Sequence, residues 1–159
     1  MKKPIVIGTD KDLLQALSNS ELAANHLYLY AANCALNRNL LGFVSFFDKE
    51  AKDEIKHYKR LREAANQCGV ELDMEETPEI EFKGNTIEAA LNGAYEAELA
   101  LMKQYEKAAD KVENGGLKML FMEFCQIQLE AVGSIADLLA EIESQGDNGI
   151  SFMNQRLQA

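Results

Sequence analysis

Apolar residues recur at alternating steps of three and four along four stretches of the chain, a spacing that lays a stripe on one face of an α-helix. The first stretch, about 10–37, carries Leu14, Leu17, Ala24, Tyr28, Ala31 and Ala35 in that phase, with Asp10 as the expected N-cap. The second, 41–68, carries Phe43, Phe47, Leu61, Ala64 and Cys68, and Gly69 is placed to end it. The third, 86–113, reads Ile87, Leu91, Ala94, Leu101, Tyr105, Ala108 and Val112. After Asn114-Gly115-Gly116, the fourth, 116–144, reads Phe121, Cys125, Val132, Ile135, Leu139 and Ile142. A second break, Gly146-Asp147-Asn148-Gly149, precedes a short helix over 150–157. Each long helix has about 28 residues and spans about 42 Å. Short links predict two antiparallel hairpins, first with second and third with fourth. The stretch 70–84 between them is acidic, contains Pro78 and shows no helical stripe, yet it can run the length of a bundle. The expected fold is all-α, a four-helix bundle with one long crossover and a short C-terminal fifth helix, forming a single domain over 1–159.

What interrupts the stripes carries the chemistry. Glu21, Glu50, Glu54, His57, Glu98 and Gln128 all stand at core-phase positions. Such residues are rarely buried without partners, and an isolated buried carboxylate is costly to ionise. All four helices contribute one, and all near mid-helix. In helices of equal length the middle stays at the middle whichever way each runs, so the groups converge on one layer. Carboxylates and an imidazole at one level repel unless they share protons or bind cations, and divalent metal is the economical answer. Glu54-Ile55-Lys56-His57 places a carboxylate and an imidazole on one helix face, where they can serve adjacent metals. Mixed oxygen and nitrogen ligands suit iron or manganese, whereas zinc sites use fewer carboxylates. The competing reading pairs these acids with lysines or places them at a subunit interface, but the stripes contain no Lys or Arg.

Twenty-six acidic against sixteen basic residues leave a formal charge of −10. That balance disfavours nucleic acid and anionic membrane as partners and attracts cations; a solvated acidic surface accounts for it equally well. Cys34, Cys68 and Cys125 form no C-x-x-C pair, which argues against a disulfide framework or zinc knuckle and for a reducing compartment. They read as small buried hydrophobes. The N-terminal run Ile5-Val6-Ile7 is too brief for a signal peptide, and no apolar run reaches the roughly 20 residues that span a bilayer. A cytoplasmic location is expected. His26 falls off the stripe as a surface or interface residue, Tyr105 reads as plain core, and the six methionines form no stripe.

Nearly end to end, the chain resembles the non-haem ferritins, the type example of a bundle with this crossover. The resemblance rests on Glu21 followed seven residues later by Tyr28, on Phe46-Phe47-Asp48-Lys49-Glu50-Ala51-Lys52-Asp53-Glu54-Ile55-Lys56-His57, on Glu98 in Ala94-Tyr95-Glu96-Ala97-Glu98, and on the tail from Gly149 to Leu157. It implies two irons per subunit, with Glu21, Glu54, His57 and Glu98 as ligands and Glu54 bridging. Tyr28 lies beside the metals, either as an electron donor or as a hydrogen-bond partner of a ligand. Glu96 competes with Glu98 but is off the stripe. Where bacterioferritins carry a second Glu-x-x-His, this chain has Cys125-x-x-Gln128, similar to ferritins that hold the second iron more weakly. Ile55 stands where bacterioferritins place their haem-ligating Met, so no haem is expected. No acidic entry-channel residues are matched near Lys118 to Phe121. Glu50 has the phase of an entry or third-metal position. Asp53 faces sideways, as an iron transit site or a solvated acid.

The resemblance therefore implies a ferroxidase and iron-storage protein. Fe2+ and dioxygen or hydrogen peroxide are its substrates, and catalysis involves Glu21, Tyr28, Glu54, His57, Glu98 and Gln128, with Glu50 as an added metal ligand. The expected assembly is a homo-oligomeric twenty-four-subunit cage. The alternative is a non-storing di-metal oxidase or peroxidase on the same bundle, and a third reading is a metal-free helical interaction protein.

Overall fold

The computed structural model describes residues 2–6, 8–80 and 84–158, without the side chain of Asp147. Ile7 of the N-terminal run and residues 81–83 of the crossover lie outside the described residues. Five helices follow in order: α1 (Thr9–Leu36), α2 (Leu41–Gln67), α3 (Ile87–Lys111), α4 (Gly115–Gln145) and α5 (Asp147–Gln158). The four long helices and the link between α2 and α3 are those the periodicity predicts.

Helix ends separate local from non-local signals. Gly69 at φ 71° closes α2 as expected, and the Val70 N–H donates to the Ala65 carbonyl at 2.8 Å. Thr86 and Asn114 cap α3 and α4 by accepting from the N–H groups of Ala89 and Leu117, each at 3.0 Å. Asp10 is not the cap of α1; Gly8 holds that position. The Asp10 carboxylate is buried and accepts from the N–H groups of Glu113 and Asn114, both at 2.9 Å. It satisfies the chain just past α3, a partner over a hundred residues away that no local pattern exposes. α5 begins three residues before its expected start. Gly146, at φ 65°, breaks the chain alone, while Gly149 lies inside the helix, where a Cβ would come within 2.9 Å of Gln145 Cβ.

α1 packs on both α2 and α3, and α4 on α3. Asp10 at the start of α1 meets the end of α3, and Ser20 donates to Gln104 at 2.7 Å, so α1 and α3 are antiparallel. The crossover makes this possible. It leaves α2 and runs alongside α1, with Asp73 doubly bonded to Gln15 (2.8 and 3.0 Å), Glu75 accepting from Asn19 (2.8 Å) and Thr77 bonded to His26 (2.8 Å). The chain then enters α3 from the far end.

The buried apolar side chains form two separate clusters. One gathers Leu14, Leu17, Leu61, Phe121 and Phe124; the other gathers Phe43, Phe47, Leu91, Ile135 and Met153. On α4 the buried line runs through Phe124 and Leu138, while the predicted Cys125 and Leu139 are only half-buried at its edge. Wide, two-residue apolar steps on this helix left its phase uncertain by one position. No helix among the described residues is long and apolar enough to cross a membrane.

α5 packs against α2 and α4. Met153 is fully buried, and the Asn154 side-chain oxygen accepts from the N–H groups of Gly42 (2.8 Å) and Phe43 (3.4 Å), donors left without partners at the start of α2. A Cβ on Gly42 would fall 2.0 Å from the Asn154 carbonyl oxygen. Gly42→Ala is therefore expected to push α5 off the bundle. Amide hydrogen exchange checks this: exchange over 150–157 should accelerate at least tenfold, on the order of the 1–3 kcal/mol that overpacking costs, while the middles of α1 and α3 stay protected.

Candidate metal centre

Between the two apolar clusters lies a polar layer to which every long helix contributes. α1 supplies Glu21, α2 Glu54, α3 Glu98 and α4 Gln128, all at most 1% exposed. His57 and Glu50, one turn to either side of Glu54 on α2, are half-buried. Five of the predicted interruptions, Glu21, Glu50, Glu54, His57 and Glu98, fall into two overlapping groups, and Gln128 is buried on α4.

Two sets of ligand atoms lie within 4.8 Å of one another: Glu21, Glu54 and His57 in one, Glu50, Glu54 and Glu98 in the other. Glu54 belongs to both. His57 Nδ1 is 3.4 Å from Glu21 Oε2 and 3.6 Å from Glu54 Oε2. No hydrogen-bond partner reaches Glu21 Oε2, Glu54 Oε2, Glu98 Oε2, His57 Nδ1 or either amide atom of Gln128. Buried polar atoms in this number are seldom left unpaired in a stable interior. Among the described residues, moreover, no buried Lys or Arg neutralises the acids. The donor set is one imidazole, several carboxylate oxygens and one amide, and it fits one or two divalent cations.

Tyrosines hold the other oxygens. Tyr28 Oη donates to Glu98 Oε1 at 2.6 Å, and Tyr105 Oη donates to Glu21 Oε1 at 2.5 Å. Tyr28 is 1% exposed and Tyr105 is 0% exposed. Burial, then the facing glutamates, raise both phenols well above their ordinary value, so both are donors at neutral pH. Tyr105 corrects the expectation of plain core. The signal for it was present: Tyr105 follows Glu98 by seven residues, as Tyr28 follows Glu21.

The remaining candidates separate cleanly. Glu96 is exposed, leaving Glu98 as the α3 member of the centre. Asp53 sits between Lys49 (3.6 Å) and Lys56 (3.4 Å), outside both ligand sets. His26 is exposed beside Thr77. Arg60 stacks 4.7 Å from the Phe124 ring centre and pairs with Glu123 at 2.8 Å; Phe124 in turn lies 5.4 Å from the His57 ring. The three cysteines are free thiols, two buried and Cys125 half-buried.

The layer's electrostatics follow from burial without counter-ions. Burial, reinforced by Glu21, pushes the Glu54 carboxyl up to about 8 against the opposing pull of His57. Burial and the charge of Glu54 push Glu98 up to about 9. Burial raises Glu50 as well, with Lys49 opposing. For His57 burial acts downward, but Glu21 and Glu54 outweigh it and lift the imidazole to about 10. With no cation bound, protons hold this layer together.

A family model described as Ferritin-like domain matches residues 11–145. No curated protein sequence matches the chain. Among solved structures, the fold is similar to an open-pore ferritin from the archaeon Archaeoglobus fulgidus, at TM-score 0.90 and 17% identity over 96% of this chain and 97% of that one. It is equally similar to a form of that ferritin engineered to be closed, at TM-score 0.90 and 17% identity over 96% of both chains. A humanized archaeal ferritin gives TM-score 0.90 at 16% identity over 96% and 95%. Likeness at this identity speaks to the fold.

Glu54, Glu98 and His57 all have folded values above their unfolded ones. Their contribution to stability is full below the unfolded values, about 4.3 for Glu and 6.5 for His, and is lost as pH rises through about 8 to 10. Scanning calorimetry of the metal-free protein should show its melting temperature falling steadily from pH 5 to pH 10 (on the order of those values). Glu54→Gln with Glu98→Gln should flatten that fall.

Proposed function

The chain belongs to the ferritin-like family, and from that premise we propose that it oxidises Fe2+ within the bundle and stores the ferric product as mineral inside a homo-oligomeric shell. The observation that carries this reading is the set of buried oxygen and nitrogen atoms left without hydrogen-bond partners in the interior of the bundle. A structural core has no use for them, and divalent cations satisfy the carboxylate oxygens and the imidazole nitrogen among them at once.

Iron is here the substrate. Glu21, Glu54 and His57 receive one Fe2+, and Glu50, Glu54 and Glu98 receive another. The carboxylate of Glu54, common to both sets, would serve both ions. Two ferrous ions yield two electrons, which with two protons reduce dioxygen to hydrogen peroxide or hydrogen peroxide to two waters. The protein's contribution is to bring two reductants together and to balance their charge in a largely buried site. Gln128 offers a neutral oxygen where a carboxylate would add negative charge, which leaves oxidised iron less tightly held and free to move on. The half-exposed position of Glu50 and His57 supports passage of iron on the α2 side of the layer. The likeness to archaeal ferritins supports a homo-oligomeric shell, for which the family resemblance implies twenty-four subunits, and the excess of acidic residues favours cation uptake.

Anaerobic addition of Fe2+ followed by air tests storage directly. Many hundreds of irons retained per particle are expected; retention of about two per chain would instead indicate a non-storing oxidase or peroxidase. Glu54→Ala combined with His57→Ala should lower the initial rate of Fe2+ oxidation, followed by stopped-flow absorbance, by more than the ~10–100-fold that loss of an outer-sphere partner costs. An unchanged rate would refute the assignment of the centre.

A further inference from the structure

Tyr28 and Tyr105 form a crossed pair. Each lies seven residues, two helical turns or about 10 Å, beyond the glutamate on its own helix. Neither bonds to that glutamate. Because α1 and α3 are antiparallel, Tyr28 comes level with Glu98 and Tyr105 with Glu21, and each phenol donates to the carboxylate of the opposite helix. In both carboxylates the phenol takes Oε1 and leaves Oε2 without a hydrogen-bond partner. The free Oε2 of Glu21 is the oxygen facing His57 Nδ1 at 3.4 Å.

A buried tyrosine needs some acceptor, so a hydrogen bond alone would be ordinary core chemistry. The geometry goes further. The terminal torsion of a glutamate is broad, and an unrestrained carboxylate turns easily to present both oxygens to a cation. A phenol fixed on one oxygen stops that rotation. Tyr105 is itself held rigidly, packed on Phe121 and Phe124 at centroid distances of 6.3 and 5.2 Å. Its hydroxyl is thus a fixed point against which Glu21 is oriented.

We propose that Tyr105 is a positioning residue that makes Glu21 a one-oxygen ligand toward the His57 side of the centre, and that Tyr28 does the same for Glu98 toward the Glu50 side. Each tyrosine therefore governs the cluster to which the other helix's glutamate belongs. The inference rests on the metal-binding reading above, but it assigns a residue outside both ligand sets and predicts that two similar tyrosines act on different metals.

Anaerobic titration with Co2+, read by visible absorption, tests it without turnover. Cobalt with an imidazole ligand absorbs differently from cobalt held by oxygen alone, and its band intensity falls as coordination number rises. Wild type should bind two Co2+ per chain. Tyr105→Phe keeps the ring and its packing; it should weaken the imidazole-containing site about tenfold and lower its band intensity, leaving the all-oxygen site within about twofold. Tyr28→Phe should do the reverse. Failure of wild type to bind two Co2+ would remove the metal-centre reading and this inference with it. Normal wild-type binding, with either variant leaving its assigned site unchanged or shifting both sites equally, would overturn the inference alone.

Discussion

A layer of buried carboxylates that outnumber the imidazole facing them governs this protein. Glu21, Glu54 and Glu98 lie in the interior at 1% exposure or less, and among the described residues no buried lysine or arginine accompanies them. Ionising even one such group in a dry interior is costly. Protons or multivalent cations must compensate, and the raised values of Glu54, Glu98 and His57 express that need. The bundle is organised to make the layer tolerable, with an apolar cluster on each side and two tyrosines bracing the acids.

The long crossover has a chemical consequence beyond connecting hairpins. By carrying the chain back along α1, it reverses α3 relative to α1 and so brings each tyrosine level with the opposite glutamate. In a bundle where α1 and α3 ran parallel, Glu21 would face Glu98 and Tyr28 would face Tyr105, and neither carboxylate would gain a phenol. The pairing of oxygens within the centre thus depends on topology, and topology on the crossover between α2 and α3.

Much of this was legible in the residue pattern. Glu21, Glu50, Glu54, His57, Glu98 and Gln128 broke the apolar stripes in phase, and phase is a local property that helical geometry converts directly into direction. Glycine and cap signals placed the end of α2 and the breaks around α4 for the same reason. Less legible were contacts between residues distant in sequence. Asp10 looked like a local cap because a carboxylate beside a helix start usually is one, yet its partners lie beyond α3. Tyr105 looked like core because a tyrosine in a stripe is consistent with packing alone. The α4 stripe was drawn through Cys125 rather than Phe124, since adjacent apolar residues leave the phase ambiguous until a neighbouring helix selects one.

Sequence alone determined which side chains share a helix face, and therefore that three helices would turn acids, and the fourth an amide, toward the interior; 3.6-residue periodicity suffices for that. Tertiary structure decided which oxygen of each acid is held and which is left free. That outcome depends on the antiparallel register of α1 and α3, set by packing and chain reversal between residues some seventy to eighty-four positions apart. No local propensity encodes a register of that kind.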